Sequence, residues 1–193
     1  MAPASDYELI RESIAVPAVF AAVFDRHSRS VYRYVRRRVG DELASDVTAE
    51  VFTRAFRDRA SFDGRAWSAL PWLLGVSTNV IRMHRRAEER RLRAYARAAE
   101  REPGGELTAE IDARVDAQAL RAGLSDALAA LPSRQRDVLL LSAWAELSPS
   151  EIALALVLAP GTVRSDLHRA RRFVAARLAA DIPEIVLEKE PNT

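Results

Sequence analysis

The chain has no cysteine, which excludes disulfides, thiolate metal sites and a cysteine nucleophile together. Turn residues are scarce, with 7 glycines and 9 prolines in 193 residues, and only 7% of the chain is aromatic. Between these sparse breaks run long stretches of Ala, Leu, Arg and Glu, a composition that favours helix over strand. No apolar run approaches the roughly 18 residues of a membrane span. Met1 to Arg11 lacks the apolar centre of a signal peptide, so a cytoplasmic protein without membrane insertion is expected. There is no glycine-rich phosphate loop and no Gly-x-Ser-x-Gly elbow. His27, His84 and His168 stand apart, without the spacing of metal ligands, and the carboxylates are scattered. The chain is therefore read as not an enzyme, with no metal and no cofactor.

Nearly half of the residues are apolar, enough to bury a core in one or two compact domains. The net charge is only +2, but of the 29 basic residues just Lys189 is a lysine. Arginine presents a planar fork of donors that suits phosphates and guanine edges. The charges are also unevenly placed. Arg82 to Arg101 holds eight arginines against three glutamates, whereas Glu102 to Gln118 carries Glu102, Glu106, Glu110, Asp112 and Asp116 against Arg114 alone. The sign reverses at Pro103-Gly104-Gly105, the strongest breaker cluster in the chain. This divides the molecule into an N-terminal helical domain ending near Arg93, a flexible acidic linker and a C-terminal helical domain from about Ala119, with an acidic, Pro-punctuated tail after Asp181.

Apolar periodicity places the helices. Phe20, Val23, Phe24, Val31 and Val35 mark the buried side of a first helical stretch, with Arg29, Arg33, Arg36 and Arg37 outside. From about Glu42, Ala44, Thr48, Val51 and Ala55 form a second buried stripe flanked by Val47 and Phe52, opposite Asp46, Glu50, Thr53 and Arg57. A third helix opens near Pro71. Its core stripe is Leu73, Val76, Val80 and Met83; its far side carries Gly75, Asn79, Arg82 and Arg86, with Thr78 and Arg85 beside them. The loop before it, Ser61 to Leu70, holds Phe62 and Trp67. In the C-terminal part, Leu124, Leu128 and Leu131 belong to a helix stopped by Pro132, Ser133 reads as the cap of the next, and Ser148 or Ser150 as the cap of a third. Pro160 opens a last helix with Val163, Leu167, Ala170 and Val174 inside and Arg164, Ser165, His168, Arg169 and Arg172 outside. A short helix, a tight turn and a second helix with a basic face is the plan of a helix-turn-helix.

The stretch Ala44-Ser45-Asp46-Val47-Thr48-Ala49-Glu50-Val51-Phe52, with Pro71-Trp72-Leu73-Leu74, Asn79 and Arg85-Arg86, resembles the second domain of bacterial extracytoplasmic-function (ECF) RNA polymerase sigma factors. Leu131-Pro132-Ser133-Arg134-Gln135-Arg136, Glu151-Ile152-Ala153, Pro160-Gly161-Thr162-Val163-Arg164-Ser165 and His168-Arg169-Ala170-Arg171 resemble their fourth domain. Both blocks stand in the family's order and spacing, and the resemblance covers residues 18–93 and 119–178, which leaves 94–118 as the linker and 179–193 as the tail. The resemblance implies an all-α protein of two domains, a sigma domain 2 bundle and a sigma domain 4 helix-turn-helix. Its partners would be core RNA polymerase, through the beta-prime clamp helices and the beta flap, and promoter DNA; an anti-sigma factor able to clamp the two domains is a further partner the family suggests. Asp46, Glu50 and Thr53 fall where the polymerase docks. Trp67, Thr78, Asn79, Arg82, Arg85 and Arg86 fall where the −10 element is read and melted, and Thr162, Arg164, Ser165, His168, Arg169 and Arg172 where the −35 element is read.

The physics of these roles is coherent. A base drawn from the stack needs an aromatic such as Trp67 or Phe62 to receive it, while arginines hold phosphates and position without specifying. Two residues depart from the family's pattern. Val157 stands where glycine is usual in the helix-turn-helix turn, and Ala159 where serine usually caps the last helix. The competing reading is an autonomous helix-turn-helix regulator whose N-terminal half senses a ligand or dimerises; such a half would not need the Asn79 and Arg82 face beside an acidic stripe.

Overall fold

The computed structural model describes residues 4–99 and 115–181, and among these every regular element is helical. The acidic segment up to Arg114 and the tail from Ile182 lie outside the described residues. Among the described residues eight α-helices follow one another: α1 (Asp6–Ala15), α2 (Phe20–Val39), α3 (Asp41–Asp58), α4 (Leu70–Ala99), α5 (Val115–Ala130), α6 (Ser133–Ala145), α7 (Pro149–Leu156) and α8 (Pro160–Asp181). Single 3-10 turns, Pro17–Val19 and Arg59–Ser61, sit before α2 and after α3.

Helices α1 to α4 form a first bundle. Val23, Val31, Tyr34 and Val35 of α2 meet Val47, Val51, Phe52 and Ala55 of α3 and Leu73, Val80 and Ile81 of α4, all buried. Two expected core residues lie outside it. Phe24 is 44% exposed, laid edge-on against the Phe52 ring at 4.7 Å, and Met83 is 48% exposed, with its sulfur receiving the Arg54 guanidinium at 3.1 Å. Phe62, expected as a loop aromatic, is buried between Tyr7 and Trp72.

The bundle starts earlier than residue 18. Ser5 and Glu8 make a reciprocal capping box in which Ser5 Oγ accepts the Glu8 N–H at 3.2 Å and the Glu8 carboxylate accepts the Ser5 N–H at 2.7 Å. The helix so started buries Asp6, Leu9, Ile10 and Ser13, one face at helical spacing.

Helices α5 to α8 form the second bundle around Ala127, Leu131, Val138, Leu141, Ile152, Val163, Leu167 and Ala170. Leu124, expected inside, is 40% exposed. Ser133 is the first residue of α6 rather than its cap: Pro132 holds the cap position, and its carbonyl accepts the Arg136 N–H. Of the two serines considered for α7, Ser148 is the cap, in a second capping box with Glu151. The helix-turn-helix turn is closed by the Leu158 N–H on the Ala153 carbonyl at 2.9 Å, which requires Val157 to adopt φ 54°, ψ 52° with its side chain 90% exposed. Ala159 offers no side-chain acceptor to α8, and only its carbonyl takes part, accepting the Val163 N–H at 3.2 Å.

The two bundles share one continuous core, with α7 lying along α4 and α6 touching α2. At Gly75 the approach is backbone on backbone: a Cβ there would stand 2.1 Å from the Ala155 carbonyl oxygen. Only glycine lets α4 and α7 approach this far.

Val157→Gly is expected to stabilise the protein by about 0.5–1 kcal/mol, because a β-branched side chain in the left-handed region is strained and this one gains nothing from burial. The urea midpoint should rise with an unchanged slope. Gly75→Ala is expected to force α7 off α4, read as a larger radius of gyration in small-angle scattering with helix content preserved.

Candidate nucleic-acid interface

The basic side of α4 does not face solvent along its whole length. Arg82 Nε donates to Asp137 Oδ2 of α6 at 2.6 Å, and Arg38 Nη2 of α2 donates to Asp137 Oδ1 at 2.8 Å. The side chains of Arg38 and Asp137 are each 2% exposed, so this carboxylate joins three helices from inside. Arg38 Nη1 donates to the Tyr34 hydroxyl at 2.8 Å, and that hydroxyl lies 3.3 Å from Thr78 Oγ1. Burial pushes the Tyr34 phenol up, against the lowering influence of Arg38. For Arg38 itself, burial disfavours the charge, but Tyr34 and Asp137 outweigh it and the guanidinium is held more firmly than usual. Arg85 donates to the Arg38 carbonyl at 3.2 Å, and burial, with Arg38 nearby, lowers its pKa.

The expected −10 residues therefore separate. Thr78, expected on the open face, is fully buried, donating to the Leu74 carbonyl at 2.9 Å. Arg82 is engaged by Asp137, with a third of its side chain still accessible. Asn79, Arg85 and Arg86 are exposed, although the Arg85 guanidinium is partly covered where it donates to Arg38. Trp67 stands wholly exposed on the loop before α4, at 104% of the reference accessibility. The physical reason for the burial of Thr78 is that α4 has two packed sides: one lies on α2 and α3, and the other receives α7.

On α3, Asp46 and Thr53 are exposed, and the Thr53 hydroxyl donates to the Ala49 carbonyl at 2.8 Å. Glu50 is not a free carboxylate. His84 Nε2 lies 2.7 Å from Oε2, and Arg54 donates to Oε1 at 2.7 and 3.0 Å. The His84 hydrogen bond, with Arg54 adding to it, holds its carboxyl below the usual range against the opposing cost of burial. A shallow pocket lined by Glu50, Met83, His84, Arg86 and Ala87 lies beside this pair.

Helix α8 presents the other interface. Arg164, Ser165, His168, Arg169 and Arg172 are exposed on one side and Thr162 is half-buried, while Val163, Leu167 and Ala170 are buried on the other. Asp166 lies on the inner side, buried, and its carboxylate accepts Arg134 Nε from α6 at 2.6 Å; Arg169 Nη1 is 3.7 Å away. The ion pair fixes the roll of α8 against α6, and so the direction in which the outer arginines point. Sequence reading passed over Asp166, Asp137 and Arg38. The signal was present, because each continues the apolar spacing of its helix where a surface charge has no place.

Two family models match the chain: Sigma-70 region 2 over residues 23–91, and Sigma-70, region 4 over residues 121–174. Among curated relatives, the ECF RNA polymerase sigma factor SigL of Mycobacterium tuberculosis is 33% identical over 165 residues, covering 85% of this chain and 91% of the relative. The ECF RNA polymerase sigma factor BldN of Streptomyces coelicolor is 30% identical over 178 residues, or 90% of this chain and 66% of that protein. Two solved structures share the fold. CnrH in complex with the cytosolic domain of CnrY superposes with a TM-score of 0.62 at 22% identity, covering 92% of this chain and 99% of that one. The sigma factor RpoE from Bartonella quintana, in complex with the anti-sigma factor NepR, gives 0.50 at 19% identity, covering 84% and 98%. The region 2 match fills the place that an autonomous regulator would have given to a sensor domain. With both regions in order and relatives matched over most of their length, the chain belongs to the ECF sigma factors, the subunits that associate with core RNA polymerase and direct promoter-specific initiation.

Proposed function

We propose that residues 18–93, extended by α1, serve as the polymerase-docking and −10-reading domain, and residues 119–178, begun by α5 at Val115, as the −35-reading domain. The observation that carries this is the division of α8, whose exposed side gathers four polar or basic side chains within nine residues, Arg164, Ser165, His168 and Arg172, with Arg169 beside them. A helix of this kind enters the major groove, its early residues reaching base edges and its later arginines the phosphates. On the first domain, Trp67 receives an unstacked base, Asn79 pairs with a base edge, and Arg82, Arg85 and Arg86 bind the backbone. Thr78 supports this face from beneath, through Tyr34, and does not touch DNA.

Asp46 and Thr53 form the open part of the docking edge for the beta-prime clamp helices, with Glu50 as a carboxylate already ordered by His84 and Arg54. The second domain adds contact with the beta flap. The protein supplies recognition and leaves catalysis to the polymerase, acting in the cytoplasm; no described helix is long and apolar enough to cross a membrane. Two structural neighbours are held by a second protein, and an anti-sigma factor belongs among the partners of this chain on the same reading.

Promoter DNA reaches Arg82 only once Asp137 has left it, so this reading includes a parting of α6 and α7 from α4. Asp137→Ala removes the partner of a buried arginine, a change that costs about 3–5 kcal/mol in buried pairs generally. Energy transfer between dyes on α3 and α8 is expected to fall in this variant; unchanged transfer would mean that the carboxylate does not hold the domains together. In transcription with added core polymerase, Arg164→Ala or Arg169→Ala is expected to relax base preference at one −35 position, worth about 1–3 kcal/mol. Arg86→Ala should instead weaken all promoters alike and reduce the salt slope by about one. A −35 preference identical in both α8 variants refutes the assignment of that face.

A further inference from the structure

The loop that carries Trp67 is tied down on both sides of the tryptophan, and both ties come from α1, a helix that lies before either matched family segment. The first tie is at Gly64. There the backbone turns at φ +69°, and a Cβ would stand 2.3 Å from the Tyr7 ring, so the ring lies directly against the glycine. The same ring stands 6.5 Å from Phe62, which packs on Trp72 at 5.2 Å.

The second tie is at the entry to α4. Asp6 Oδ2 accepts the Ala69 N–H at 2.8 Å and the Ser68 hydroxyl at 3.2 Å. His27 Nε2 lies 2.7 Å from the same oxygen, and Arg26 Nη1 donates to Oδ1 at 2.9 Å. The Ala69 carbonyl accepts the Leu73 N–H, so Asp6 caps the first turn of α4 from a different helix, with its charge at the positive end of that helix. The Asp6 side chain is 8% exposed. Burial opposes its charge, yet Ala69, Arg26 and His27 together keep its carboxyl below the usual range.

Across the first tie the turn gains one more restraint, as Asp63 accepts the Arg65 N–H at 3.1 Å and its guanidinium at 2.6 Å. Trp67 thus projects from a loop fixed at its neighbour Ser68 and again at Gly64, while the indole itself touches nothing. A side chain left bare on a loop this firmly tied is one whose direction the fold specifies. Ordering a loose loop at the moment of binding would subtract from the affinity of the contact it makes, and a loop ordered beforehand avoids that loss.

We propose that Asp6 and Tyr7 are positioning residues for promoter melting: α1 holds the 62–69 loop so that the Trp67 indole is presented to the base that leaves the stack. The proposal rests on the reading of Trp67 as the base-receiving residue. It assigns to α1 a role in open-complex formation, acting through Trp67 and not through the stability of the bundle.

The test is a double-mutant cycle in transcription with core polymerase, reading the rate of open-complex formation by permanganate reactivity of the −10 thymines. The single changes are Trp67→Ala, Tyr7→Ala, Asp6→Asn and Gly64→Ala. The last crowds the Tyr7 ring from the loop side and leaves the buried face of α1 untouched. Each is expected to slow melting by roughly tenfold, the size of one lost stacking contact. In the Trp67→Ala background the α1 and Gly64 changes are expected to add nothing further. Binding to core polymerase and −35 selectivity should stay as in the parent, and the anisotropy of Trp67, followed with Trp72 and Trp144 replaced by Phe, should fall in Tyr7→Ala and Gly64→Ala. If Trp67→Ala alone leaves melting unchanged, the reading of the loop fails and the proposal with it. If Trp67→Ala slows melting while the α1 and Gly64 changes do not, or if their effects multiply with that of Trp67→Ala, the positioning role is overturned and the reading of Trp67 stands.

Discussion

A carboxylate taken out of water has to be repaid by partners on every side, and Asp137 is repaid by arginines from two other helices. That requirement organises the interior. Arg38 reaches Asp137 only if α2 and α6 meet at one register, and Arg82 only if α4 is rolled so that its basic edge faces α6. The surrounding apolar contacts among Val138, Leu141 and Ile152 tolerate small slips; a three-way ion pair does not. Asp166 with Arg134 does the same for α8, and Asp6 with Arg26, His27 and Ala69 for α1. Helices α1, α2, α6 and α8 are thus each oriented by a charge on the hidden side.

These buried charges share a placement. Arg38 continues Val31, Tyr34 and Val35; Asp137 stands four residues before Leu141; Asp166 falls between Val163 and Ala170; Asp6 precedes Leu9, Ile10 and Ser13. A residue at that phase of a helix points inward whatever its chemistry. The helices and their buried stripes were legible because periodicity is a local property and most of these stripes are purely apolar. The partners were not, because ion pairs such as Arg38 with Asp137 join residues far apart in the chain, and nothing local records which two meet. The missed α1 is a different case. Its capping box, Ser5 and Glu8, was readable, but the helix lies before the first recognisable motif.

The candidate surfaces were legible in unequal measure. The outer face of α8 followed from spacing alone, since one side of that helix is apolar and the other is not. The face of α4 did not, because a helix packed on two sides leaves only a narrow exposed strip. Gly75 is the clue, a residue with no side chain on the face expected to be open. Thr78 lies beside that strip, turned in toward Tyr34 of α2, whereas Met83 holds a core phase but meets the Arg54 guanidinium of α3 and stays half exposed.

The contact between α4 and α7 is a carbonyl resting on a glycine, and the Arg38–Asp137 pair between α2 and α6 is sealed from solvent. Dissolved ions screen neither of these appreciably, whereas they compete directly for every phosphate that the outward arginines seek. Ionic strength therefore loosens this molecule's hold on nucleic acid while leaving the Arg38–Asp137 pair and the α4–α7 contact intact.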